Sequence, residues 1–168
     1  MKTIKSLLLI LTMAFCMPFA KAQSTTNNID KITTAYLGIK NALVAGESTT
    51  AKVKAEELYS LLAAQPDKGL SGSQKKFVSA NLEMLLFDSR HISETDKIDH
   101  QREHFASLSK NMYAFLKGVK LNTISLYEQY CPMKKSTWLS ETAKIKNPYY
   151  GDKMIECGQT KEKLAAAK

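Results

Sequence analysis

Apolar residues recur every three or four positions through much of the chain, which is the pattern of amphipathic helices. The clearest stripe is formed by Ile29, Ile32, Tyr36, Ile39 and Leu43. Similar stripes predict four helices, at about 28–45, 50–64, 73–91 and 94–117. Because the connections between them are short, the predicted fold is mainly α, an antiparallel four-helix bundle.

Capping residues and the spread of apolar positions add detail to this prediction. Asn27 or Asn28 is expected to cap the first helix at its start, and Gly46 to mark its end. Ser93 with Asp96 resembles the capping start of the fourth helix. The third helix carries apolar residues on more than one face, which predicts that it is the most buried of the four.

The segment after residue 120 does not continue the helical pattern. Residues 123–130 are rich in β-branched and aromatic side chains and predict one short strand. The residues that follow are interrupted by turns containing lysine and proline. The expectation is a small irregular C-terminal appendix, at 121–160, which contains the strand and packs on the bundle.

The longest apolar run lies at the N-terminus and has the layout of an export signal. Lys2 and Lys5 precede an apolar stretch at 7–15, and Ala20-Lys21-Ala22 supplies the small-x-small pattern that signal peptidase reads. We therefore expect a signal peptide over 1–22, cleaved after Ala22, and a mature protein in the periplasm.

The mature chain is expected to be a single domain, 23–168, without membrane insertion, because no later apolar run is long enough to span a bilayer. Lipidation at Cys16 is disfavoured because Phe15 precedes it, where a small residue is required. Cleavage removes Cys16, so that three cysteines become one pair in an oxidising compartment.

The basic charge of the chain comes almost entirely from lysine. The net charge is +8, yet Arg90 and Arg102 are the only arginines, and the lysines are scattered along the chain. Nucleic-acid sites cluster basic residues and use arginine for bidentate contacts. The charge therefore indicates a solvated surface, and no nucleic-acid partner is expected.

The remaining cysteines lie in two short motifs that also contain methionine. If the chain is extended at Cys131 and Met133, these two side chains lie on the same side, and the spacing of Met154 and Cys157 makes them neighbours on one helical turn. Thiolates and thioethers are the ligands that Cu(I) prefers. Two alternatives stay open: the methionines are core residues, or Cys131 and Cys157 form a structural disulfide. The cysteines can also alternate between a reduced, metal-bound state and an oxidised, closed state.

The three histidines form a second group of candidate site residues, with His100 and His104 as candidate ligands and His91 as a candidate for the surroundings of the site. His100 and His104 are one helical turn apart, a familiar spacing for metal ligands, and His91 closes the third helix. If the appendix folds back here, one of His100 or His104 joins the sulfur site as an outer ligand. By ligand type alone, two cysteines with two histidines would also suit a Cys₂His₂ zinc site. The alternative is that the histidines are polar residues at the rim of the bundle.

Aromatic residues between the two cysteines are candidates for the surroundings of the site. Trp138, Tyr149 and Tyr150 can form a hydrophobic wall that restricts water and oxidation at a soft metal. They can equally anchor the appendix to the bundle. No nucleophile motif, phosphate-binding loop or dinucleotide fingerprint occurs in the sequence, so we do not expect an enzyme.

The chain resembles the domain of unknown function 3347 family, an exported domain common in Bacteroidetes. The resemblance rests on five segments, at 36–48, 91–109, 127–133, 138–140 and 147–158. It implies a compact, mainly helical periplasmic domain. Related domains occur alone or attached to CusB-like adaptor subunits of heavy-metal efflux systems, an association that implies copper or silver handling.

The resemblance also extends to the candidate site residues. By position, the four sulfur residues match the family's sulfur motif, and the three histidines match its histidine-containing segment. The hypothesis is a periplasmic soft-metal protein, for Cu(I) above Zn or Ag, that sequesters the ion or delivers it to an efflux adaptor or another envelope protein. The alternative is a helical interaction module of the envelope, stapled by a disulfide and without metal.

Overall fold

The computed structural model describes residues 19–64 and 66–167, and it shows a mainly helical chain with a small antiparallel sheet at its C-terminal end. The four helices are α1 (Phe19–Ala45), α2 (Ser48–Ala63), α3 (Gly72–Ser93) and α4 (Ile98–Val119). The predicted helical class is therefore confirmed, with helix ends within a few residues of those expected, apart from the start of α1.

Most of the predicted signal peptide, residues 1–18, lies outside the described residues. Residues 19–22 are described and form the first residues of α1. Among the helices of the described chain, none is long and apolar enough to cross a membrane.

The predicted helix caps are partly confirmed. Gly46 follows the end of α1 with a φ of 77°, in the left-handed region that favours glycine. The other two caps were wrong. Asn27 and Asn28 lie inside α1, because that helix starts at Phe19. Ser93 is the last residue of α3, and its hydroxyl donates to the carbonyl of Arg90 and does not cap α4.

Each helix packs against the next one in the sequence, and the predicted apolar stripes face inward. The buried core includes every residue of the first stripe, from Ile29 to Leu43. The expectation that α3 is the most buried helix was wrong. Its second apolar face points outward: Phe77, Met84 and Phe87 are 47%, 42% and 43% exposed. This happens because α2 and α4 cover only one side of α3.

The C-terminal region has more regular structure than predicted. It contains β1 (Leu126–Cys131), β2 (Ser136–Ser140), a 3-10 helix (Gly151–Met154) and β3 (Gln159–Leu164). Both outer strands pair antiparallel with β1, in the order β2-β1-β3. The prediction of one strand was incomplete, because β3 is largely polar and exposed and carries little of the alternation that identifies strands.

Long polar side chains of α1 attach the sheet to the helices. The buried Tyr36 hydroxyl lies 2.8 Å from the Ser109 hydroxyl of α4 and accepts a hydrogen bond from the backbone of Leu139 in β2 at 2.9 Å. Lys40, also buried, pairs with Glu141 just after β2 at 2.8 Å. These contacts fix the sheet on α1 and α4.

Candidate functional site

The sheet brings the two described cysteines together. Cys131 ends β1 and is buried, and Cys157 lies two residues before β3. Tyr130 of β1 pairs with Gln159 of β3. This pairing places Cys131, which follows Tyr130, close to Cys157, which precedes Gln159. Both cysteines are free thiols, and their Sγ atoms lie 4.0 Å apart.

Backbone groups of the turn after β1 surround the two sulfurs. The Lys134 amide donates to Cys131 Sγ at 3.4 Å. Desolvation raises the pKa of the Cys157 thiol, and the hydrogen bond and charge of Cys131 raise it further, whereas the Met133 backbone partly lowers it. Cys157 therefore favours its protonated form more than a free cysteine does.

The two candidate thioether ligands lie next to the thiols in the chain. Met133 is in the turn between β1 and β2, with its side chain 64% exposed. Met154 ends the 3-10 helix and is partly buried, and its carbonyl accepts a hydrogen bond from the Cys157 amide at 3.0 Å. The backbones of both methionines thus contact Cys157, and the Met133 side chain is exposed to solvent.

The three histidines lie elsewhere, between α3 and α4. The rings of His91 and His100 each lie 4.7 Å from the ring of His104, measured between centroids. On α4, His104 points toward Asp88 of α3, whereas Phe105 contacts Tyr149 of the C-terminal region. The described contacts of the histidines therefore include neither thiol.

No group of three or more His, Cys, Asp and Glu side chains in the described part of the chain is arranged to hold a metal ion as it stands. The thiol pair brings together two side chains of the kind that bind metal ions, and the methionines are the nearest further sulfur donors in the sequence.

Two of the three candidate aromatic residues lie beside the thiols. Trp138 is buried and lies so close to Gly158 that a Cβ there would be 2.7 Å from the indole. Tyr149 is buried against Trp138, with ring centroids 6.0 Å apart. Burial raises the pKa of Tyr149 well above its ordinary value, and the nearby Cys131 adds to this rise. Cys131 thus lies in an aromatic, water-poor environment.

Tyr150, the third aromatic residue, lines a cleft on the side of the thiol pair where α4 meets the C-terminal region. The cleft has a volume of about 350 Å³ and is lined by Asp99, Arg102, Glu103, Lys134, Tyr149, Tyr150 and Lys153. Two of these residues, Lys134 and Tyr149, also border Cys131. The cleft is therefore open and charged, and it shares two lining residues with the surroundings of Cys131.

Asn147 positions Cys157, a role that the sequence analysis did not identify. Its amide nitrogen donates to the Cys157 carbonyl at 2.7 Å, and its side-chain oxygen accepts from the Tyr149 amide at 2.8 Å. Gln129 acts similarly on the loop after β2, donating to the carbonyls of Thr142 and Ala143. The Asn-Pro turn is visible in the sequence, but its link to Cys157 forms only in the folded chain.

The family model described as "Protein of unknown function (DUF3347)" matches residues 32–123. Since this is more than half of the chain, the protein belongs to that family. The match covers most of the helical part and ends before β1, so both thiols lie beyond the matched residues. Comparison with curated proteins found no match, and comparison with solved structures found none.

Proposed function

We propose that the protein binds a soft metal ion, Cu(I), as cargo in the periplasm and sequesters it or delivers it to a heavy-metal efflux system. The observation that carries this proposal is the pair of reduced cysteines, Cys131 and Cys157, with sulfur atoms 4.0 Å apart. The aromatic surroundings of the buried Cys131 restrict water at its sulfur, which favours a soft ion over a hydrated one.

The separation of the two sulfurs suits a bridging ion. A disulfide requires an S–S distance of about 2.0 Å, so the side chains would have to approach further to form one. With metal–sulfur bonds of about 2.3 Å, the 4.0 Å separation corresponds to an S–metal–S angle of roughly 120°. The thiols therefore need little movement to hold one ion between them.

The methionines would complete the ligand set. Met154 is fixed close to Cys157 through its backbone, and the exposed Met133 side chain is free to turn toward the ion. A set of two thiolates and two thioethers favours Cu(I) or Ag(I), while Zn²⁺ fits the thiolates alone. Binding displaces the thiol protons, so affinity should fall as the pH falls.

The cleft beside Cys131 supports delivery between proteins. It lies next to residues that border Cys131 and has charged side chains of both signs, which is suited to brief contact with an efflux adaptor or another envelope protein. We also infer that the helices form an antiparallel bundle, because consecutive helices pack together and are joined by short connections.

An anaerobic Cu(I) titration of the reduced protein, with a chromophoric chelator as competitor, tests the proposal. We expect one tightly bound ion per chain, and a loss of at least tenfold in affinity for the Cys131→Ser/Cys157→Ser variant. Met133→Leu should weaken binding less, and Met84→Leu, at another exposed methionine that lies on α3, should leave it unchanged. Equal affinity of the wild type and the double serine variant would refute the proposal.

The second candidate function is a metal-free interaction module, stapled by a disulfide between Cys131 and Cys157. The observation that favours it is the exposed apolar face of α3, which carries Phe77, Met84 and Phe87. Thiol counting on protein taken directly from the periplasm separates the two functions. Complete oxidation that copper does not prevent supports the staple, and two free thiols support the metal site.

A further inference from the structure

All three histidines of the chain meet at one end of the α3–α4 pair. His91 comes from the last turns of α3, and His100 and His104 come from the first turns of α4. Two imidazoles bound side by side to one ion, with metal–nitrogen bonds of about 2.0–2.1 Å, hold their ring centroids roughly 4.5–5 Å apart. Both measured separations, from His104 to His91 and to His100, are 4.7 Å.

The hydrogen bonds of the histidines determine which ring nitrogens remain available. His104 Nδ1 lies 3.0 Å from an Asp88 carboxylate oxygen, and His91 Nδ1 lies 2.9 Å from the Phe87 carbonyl. A carbonyl or carboxylate oxygen only accepts, so both Nδ1 atoms carry the proton in these bonds. A neutral ring then presents the lone pair of Nε2, as metal-bound histidines do when Nδ1–H donates to a carboxylate or a carbonyl.

The Nδ1 atom of His100 also lies near a carboxylate, but at a longer distance. It lies 3.6 Å from a Glu103 carboxylate oxygen one helical turn away. The His100 side chain is 45% exposed and that of His104 is 18% exposed, so an ion from solvent can reach the cluster.

Asp88 supplies a second, independent observation at this cluster. The residue is 1% exposed, one of its carboxylate oxygens accepts from His104, and the other has no hydrogen-bond partner within the described chain. A buried carboxylate with an unpartnered oxygen is costly unless a cation lies close by. An ion bound to His104 would provide that charge through the carboxylate–histidine contact.

We propose that His91, His100 and His104 form a site for one divalent first-row transition ion, Cu²⁺ or Zn²⁺, with Asp88 as the positioning residue for His104. Imidazole nitrogen suits these borderline ions, and Cu²⁺ binds it most strongly. The His91 and His104 rings are stacked at 25°, so binding requires the rings to turn until the Nε2 atoms converge. The site is separate from the thiol pair and does not depend on the proposed Cu(I) function.

The test uses the full protein without a polyhistidine tag, in the Cys131→Ser/Cys157→Ser background, since free thiols would bind and reduce Cu²⁺. Titration with ZnCl₂, and separately with CuCl₂ against a competing chelator, should give one bound ion per chain. The Cu²⁺ form should show nitrogen hyperfine coupling in its electron paramagnetic resonance spectrum. Adding His91→Asn and His104→Asn should weaken binding at least a hundredfold, and Asp88→Asn about 10–100-fold.

Lys110→Asn, an exposed substitution on α4, is the matched control and should leave the affinity unchanged. Circular dichroism checks that each variant is folded, and the rise in melting temperature with ZnCl₂ gives a second readout. The proposal is overturned if neither ion binds, or if the histidine variants bind as tightly as their background. Failure of the Cu(I) proposal would appear separately, as Cu(I) affinity that does not depend on the cysteines.

Discussion

The helical part and the C-terminal sheet are held together in different ways. The helices pack through apolar stripes, and Ile32, Leu58 and Leu108 are typical of the side chains buried there. The C-terminal region depends more on single polar side chains that reach distant backbone groups, such as Tyr36 to Leu139 and Asn147 to Cys157. Apolar packing tolerates small shifts, whereas each of these hydrogen bonds specifies one position of the chain.

This difference bears on the thiol pair. Cys131 belongs to a strand fixed on both sides, whereas Cys157 lies in a segment positioned by the carbonyl of Met154 and by Asn147. We therefore expect substitutions in the C-terminal region to change thiol geometry before they unfold the helices. The predictions below test this comparison, from the largest expected effect to the smallest.

Trp138→Ala should have the largest effect. The indole is 1% exposed and fills the space between Tyr149 and Gly158. Its removal leaves a cavity beneath the sheet and should lower the free energy of unfolding by about 3–5 kcal/mol. Urea unfolding followed by circular dichroism measures the change.

Val53→Ala, at a side chain that is 57% exposed, is the control for Trp138→Ala and should change stability by less than about 0.5 kcal/mol. A Trp138→Ala loss as small as that of the control would mean that the sheet does not depend on this side chain.

Glu141→Gln tests the ion pair that joins α1 to the end of β2. The buried Lys40 ammonium would lose its carboxylate partner, which should cost about 1–3 kcal/mol at pH 7. Burial acts to raise the pKa of Glu141, but Lys40 and Asn41 outweigh it and hold this pKa below its ordinary value of 4.5. The stability from this carboxylate is therefore present above pH 4.5 and is lost as the pH falls below it.

Urea unfolding at pH 7 and at pH 3.5 measures the contribution of Glu141. The gap between wild type and Glu141→Gln should narrow at the lower pH, and a gap that does not change with pH would contradict the assignment. Glu57→Gln removes an exposed pair with Lys54 at the same 2.8 Å distance and should change stability little at either pH.

Asn147→Ala should have a global effect no larger than that of Glu141→Gln, and its effect should be the most local of the three. Loss of its two hydrogen bonds should cost about 1–3 kcal/mol and free the segment that carries Cys157. We expect faster alkylation of Cys157 by iodoacetamide, measured by mass spectrometry, with most of the helical circular dichroism retained.

Asn111→Ala is the matched control for Asn147→Ala, because the Asn111 amide donates only within α4, to Ser107. Its effect on Cys157 alkylation should be negligible. If both variants change alkylation equally, Asn147 has no special role at the thiol.

The helical half could be predicted well from the sequence because its determinants are local. The spacing of Ile29, Tyr36 and Leu43 identifies one buried face, and Gly46 marks where the helix ends. The same local reasoning failed for α3. Apolar residues on a second face do not reveal whether a neighbour covers that face, and Phe77 and Phe87 remain exposed.

The sheet and the site could be predicted only in part, because they depend on contacts distant in sequence. The paired Cys/Met motifs indicated Cys131 and Cys157, but only the pairing of β1 with β3 brings the two sulfurs to 4.0 Å. The histidine spacing indicated the cluster on α4, whereas its link to Asp88 depends on how α3 packs. Nothing in the sequence around Asn147 indicated that its side chain would bind the carbonyl of Cys157.

The polar sequence of β3 has a consequence for how copies of the protein behave in concentrated solution. β3 lies at one edge of the sheet, where unpaired backbone groups offer a template for strand addition and aggregation. Lys161 and Lys163 alternate along this edge, with their ammonium groups over the rings of Tyr130 and Tyr127. A second strand that paired with β3 would have to desolvate these charges. The polar residues that made β3 difficult to predict from the sequence therefore also protect the edge from self-association.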